Sequence, residues 1–120
     1  MLIPRVGAAQ DFDAAVDAYR SGDYVTALQE LRPLAEQGNA DAQNRLGFMY
    51  TEGQGVPQDD AEAVRWFRMA AEQGNADAHT MLGFMYTEGQ GVPQDYVNAH
   101  MWLNIAVANE GAREKRDIID

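Results

Sequence analysis

The chain has 120 residues, a length that fits one continuous core and not two ordinary domains. Nineteen acidic residues against nine basic ones give a formal charge of -10, which repels nucleic acid and anionic membrane surfaces. The absence of cysteine excludes disulfides, thiolate chemistry and cysteine-ligated zinc, and no apolar run approaches the roughly 18 residues of a membrane span.

The opening MLIPRVGAA (residues 1–9) is a leader with two readings. Its small residues Gly7, Ala8 and Ala9 suit the tail of a trimmed secretory signal, which implies a periplasmic or secreted protein. A disordered leader containing Pro4 is the other reading, with a cytoplasmic chain. Residues 10–38 are expected to form two helices, Gln10 to Arg20 and Tyr24 to Gln37, broken by Ser21-Gly22-Asp23. Pro33 falls inside the second, where it should kink or shorten the helix at a cost of up to about 3 kcal/mol.

From Gly38 the sequence repeats itself with a period of 36 residues. Gly38 to Gln73 and Gly74 to Asn109 share 22 identical positions. Periods of this size mark stacked units that share one core. Ala42, Leu46, Met49 and Tyr50 recur at helical spacing, as do Ala63, Trp66, Phe67, Ala70 and Ala71, so each unit is a pair of helices, near Ala40 to Glu52 and Asp60 to Gln73 in the first copy. Asn39 and Asn75 cap the first helices of the two copies after the reversals at Gly38 and Gly74. Asp59 caps the second helix of the first copy, with Glu62 placed for a reciprocal capping box. Asn98 stands where Glu62 would recur, which predicts a weaker clasp in the second copy. Small residues on the apolar stripes (Gly47, Gly83, Ala63, Ala99, Ala70 and Ala106) let helices approach closely, and Trp66, Trp102, Tyr50 and Tyr86 are read as packing residues.

Ala112 to Asp120 is expected to form a short capping helix over the end of the stack. The fold expected is therefore all-α, an α/α superhelix (alpha solenoid) of helix-turn-helix repeats with about seven helices, divided as 1–9, 10–38, 39–74, 75–111 and 112–120.

The run Ala42, Leu46, Gly47, Tyr50, Gly53, Gly55, Val56, Asp59, Ala63, Trp66, Ala70, Ala71, Gly74 resembles the Sel-one-like repeat of the tetratricopeptide superfamily. The next copy matches at Ala78, Leu82, Gly83, Tyr86, Gly89, Gly91, Val92, Asp95, Ala99, Trp102 and Ala106, then departs at Val107. Gln43 stands where that pattern is hydrophobic. Residues 10–38 are closer to an ordinary tetratricopeptide repeat. The resemblance implies a right-handed superhelix whose first helices line a concave face, and a scaffold or adaptor role in binding a protein or peptide. Related secreted bacterial proteins brace each repeat with a disulfide and are linked to cell-wall peptides; without cysteines this chain follows them poorly.

On that geometry the groove is formed by Phe12, Val16 and Tyr19, by Asp41, Asn44, Phe48, Thr51 and Glu52, and by Asp77, Thr80, Phe84, Thr87 and Glu88. Phe48 and Phe84 are either anchors for a partner or covers over the seams between repeats. Glu52 and Glu88 make the groove acidic as well as apolar, which suits a basic and hydrophobic partner. Self-assembly through the ends of the stack is the alternative, with a wall hydrolase using Glu52 and Glu88 as a third reading. No enzyme and no cofactor are expected: the glycine-rich connectors lack the GK[ST] ending of a phosphate loop, Ser21 has no base, and His79 and His100 read as lone surface histidines without a metal-site spacing.

Overall fold

A computed structural model describes residues 12–105 and residue 108. Five helices follow one another, α1 (Phe12–Arg20), α2 (Tyr24–Glu36), α3 (Ala40–Glu52), α4 (Asp60–Glu72) and α5 (Ala76–Glu88), and residues 96–105 are helical as well. No strand occurs among the described residues. The all-helical stack is as expected. Residues 1–9, the segment 112–120 expected to form a capping helix, Ala106 and Val107 lie outside the described residues.

Side chains set the helix starts. The orphan N–H groups of a helix's first turn need acceptors, and they are met by Asp23 on Thr26, Asn39 on Ala42, Asp59 on Glu62 and Asn75 on Ala78. Helices α3 and α5 stop at Gly53 and Gly89, whose φ of 66° and 68° turns the N–H back to the carbonyls of Met49 and Met85. Gly55 has a different role. A Cβ there would stand 3.0 Å from the Tyr24 carbonyl oxygen, and one at Gly91 would collide with the Asp60 carbonyl. Each long connector therefore lies on the N-terminus of the preceding unit's second helix, and the glycines let the layers close.

Three local expectations change. Helix α2 is not shortened at Pro33 and reaches the same 13-residue length as α3, α4 and α5. Both Pro33 and Gln29 are exposed, so the carbonyl left without its usual donor lies on the side of the helix that water reaches. The capping box at Asp59 is not reciprocal: its N–H bonds to the Tyr50 carbonyl at 2.9 Å, and Glu62 pairs with Arg65 instead. At Asp95 the clasp is made by another route, with the Asn98 side chain donating to the carboxylate at 2.7 Å.

The core is two contiguous layers. One joins Ala27, Leu31, Leu34 and Ala35 of α2 to Ala42, Leu46 and Met49 of α3, with Trp66 reaching in from α4. Its successor repeats the scheme 36 residues on, with Ala63, Phe67, Ala70 and Ala71 of α4 against Ala78, Leu82 and Met85 of α5. Full burial of a Leu, Met or Phe is worth roughly 1.5–3 kcal/mol, so these stripes hold the stack. A polar ladder links the same layers. Arg32 donates to the Tyr50 hydroxyl at 3.0 Å and Arg68 to that of Tyr86, while Gln43 donates to the Ala35 carbonyl at 3.0 Å and accepts from Gln73 at 2.9 Å.

That ladder corrects the reading of His79. It occupies the place of Gln43, only 3% exposed, donates from Nε2 to the Ala71 carbonyl at 2.6 Å and lies against the Trp102 ring. It is a buried link between repeats, not a surface histidine. His100 is exposed.

Candidate functional site

The first helices of the three units, α1, α3 and α5, come to one side because each is anchored by its own apolar stripe. In α3 that stripe is Ala42, Leu46 and Met49, all fully buried. The positions turned off it are Asp41, Asn44, Arg45 and Phe48. With Phe12 from α1 and Asp77 from α5, these four line a cavity of about 330 Å³ that opens to solvent.

The chemistry inside is mixed. Asp41 accepts from the Asn75 side chain at 3.2 Å, and among the described residues the Asp77 carboxylate has neither hydrogen bond nor ion pair. Arg45 is held over two aromatic rings, its guanidinium carbon 5.8 Å from the centroids of both Phe12 and Tyr19. No ion pair joins it to either aspartate. Asn44 is 7% exposed, and its Oδ1 is buried without a hydrogen-bond partner. Unmatched buried amides are uncommon in folded proteins, because losing water without a replacement costs about 1–3 kcal/mol.

The residues expected in the groove separate into three groups. Phe12, Asp41, Asn44, Phe48 and Asp77 line the cavity. Phe48 is only half-buried, and its ring also meets Phe67 edge-to-face at 5.2 Å, so it covers a seam while facing the hollow. Phe84 is 54% exposed and lies outside this cavity.

Val16 belongs to the core and not to the groove, because the short α1 buries it together with Ala15. Tyr19 is engaged within the fold, its hydroxyl donating to Gln54 at 2.9 Å and its ring standing edge-on to Tyr24. The threonine hydroxyls turn back onto their own helices: Thr51 to the Phe48 carbonyl, Thr80 to Ala76 and Thr87 to Gly83. Glu52 and Glu88 are exposed at the helix ends, away from the cavity.

Arg45 is the lining residue that sequence reading missed. The available signal was its position one residue after Asn44 and four after Asp41, off the apolar stripe. Among the described residues no three His, Asp or Glu side chains gather as a metal site would require, and no helix is long and apolar enough to cross a membrane.

The Sel1 repeat family model matches residues 40–75 and 76–110. Among solved structures, a Sel1 repeat protein from Oxalobacter formigenes is 33% identical with a TM-score of 0.78 over 82% of this chain and 40% of its own. The protective antigen c5321 of uropathogenic Escherichia coli, described as displaying an SLR fold, is 37% identical with a TM-score of 0.79 over 85% of this chain and 23% of its own. Cysteine-rich protein B of Helicobacter pylori, at 18% identity and a TM-score of 0.68 over 84% of this chain and 86% of its own, shares the fold. The chain thus spans less than half the length of the first two. No curated protein matches it.

Proposed function

Because the chain belongs to the Sel1 repeat family, whose members are generally scaffolds for protein interaction, we propose that it captures a segment of a partner protein on the face lined by α1, α3 and α5. The observation that carries this reading is the cavity shared by three successive units. It presents an aromatic wall, an unmatched amide and carboxylates that the fold itself does not neutralise. Side chains needed only for folding are normally paired or covered, and here the Asp77 carboxylate and the Asn44 carbonyl oxygen are left without partners among the described residues. The isolated, exposed positions of Glu52 and Glu88 favour a scaffold over a hydrolase, whose carboxylates work in an enclosed cleft.

The test is site-resolved photocrosslinking in cells that make the protein. A benzophenone side chain replacing Phe84 or Arg45 should trap a discrete partner, whereas the same group replacing Met69, exposed on the second-helix side, should not. Crosslinking from Met69 alone would move the interface to the other face.

A further inference from the structure

Resting on that reading, we infer that the cavity between α3 and α5 recognises a Lys or Arg side chain of the bound segment. Three independent features converge there. Two aspartates one repeat apart, Asp41 and Asp77, border the same hollow, and neither is ion-paired among the described residues. The one cation among the lining residues, Arg45, is drawn aside onto the faces of Phe12 and Tyr19. Asn44, more than nine-tenths buried, lines the cavity with its carbonyl oxygen unmatched.

Each feature finds its complement in one ligand group. An ammonium or guanidinium carries several N–H donors and no acceptor, so it satisfies both carboxylates and, after a turn of the Asn44 amide about χ2, that carbonyl too. Its aliphatic stem is apolar and packs along Phe12 and Phe48. A volume near 330 Å³ admits one long side chain and leaves room for water. The chain's charge of -10 adds long-range attraction for a basic segment. The recognition point is thus the middle of the groove, not the glutamates at its rim.

The test uses a phage-displayed library of random heptapeptides panned on the full chain. Enriched sequences should share a Lys or Arg beside an apolar residue. A fluorescent synthetic copy of the best one should bind the Asp41→Asn/Asp77→Asn variant about tenfold more weakly at low salt, the gap narrowing as salt is raised. Both aspartates are exposed and the replacement is isosteric, so circular dichroism should report an unchanged fold. Asn44→Ala should also weaken binding.

Peptides whose binding ignores the double substitution, or enrichment of Asp and Glu that depends on Arg45, would overturn the cationic pocket and leave the concave-face reading standing. Absence of any enriched peptide, or binding destroyed only by Met69→Glu, would overturn both.

Discussion

Replacing Gly47 by Ala tests the packing argument at its tightest point. In an ordinary helix interior this change stabilises by roughly 0.5–1 kcal/mol, because alanine loses less backbone freedom on folding. Here the new Cβ would stand 2.5 Å from Cε1 of Phe67 and 2.7 Å from its Cδ1 and Cζ, where contacting carbons prefer about 3.5–4.0 Å. The ring has no room to retreat: Phe67 is fully buried and its edge contact with Phe48 closes one side. Inserting a methyl group into such a core costs about 1–3 kcal/mol, so the clash outweighs the helix gain and a net loss of about 1–2 kcal/mol is expected. For a chain of this size that lowers the melting temperature by about 4–8 °C. Urea unfolding should show a lower midpoint at unchanged slope. Gly83→Ala should be milder, because the Leu103 it meets is only half-buried and can swing aside. Adding Phe67→Leu to Gly47→Ala should recover part of the loss, the signature of direct coupling. If Gly47→Ala melts at or above the parent temperature, the close approach of α3 and α4 is not what selects glycine.

The remaining predictions concern the aromatics, the caps and acid. Phe48→Ala should cost about 1–2 kcal/mol by thermal unfolding, since half-burial and the Phe67 contact are lost together, whereas Phe84→Ala should stay within about 0.5 kcal/mol and act on partner capture alone. Asn39→Ala should lose about 1 kcal/mol in the same assay by freeing the Ala42 N–H. Asp95 is held below the ordinary aspartate value of 3.8 by the Asn98 backbone N–H and then by its side chain, and Asp23 by the Thr26 hydroxyl and then its N–H. A carboxylate with a lowered native value contributes stability that is complete above the unfolded value and is lost as pH falls through the native one. The melting temperature should therefore drop below pH 3.8, and an Asp23→Asn/Asp95→Asn variant should show a flatter acid limb.

Much of this protein is written in short stretches of its sequence. The duplicated Gly-Asn-Ala-Asp starts and the Gly-Gln-Gly-Val-Pro connectors dictate helix ends through capping and left-handed backbone, interactions that reach only a few residues. The apolar periodicity dictates the buried stripe, because spacing along a helix is angle around it. Even so, local rules mislead where a distant partner competes. Glu62 turns to Arg65 because the connector delivers the Tyr50 carbonyl to the Asp59 N–H, and His79 is interior because the previous unit offers the Ala71 carbonyl.

The candidate site was legible only as a register of positions on the first helices. Which members are available depends on how far each helix sinks into its neighbours: α1 buries Val16, α3 leaves Phe48 half-covered on Phe67, and α5 leaves Phe84 open. Sequence by itself determined the repeated helix pair and the faces that pack. The tertiary stack alone decided that Asp41, Asn44, Arg45 and Asp77, from two different repeats, share one hollow, because charge and unmatched polarity there arise between helices and not within one.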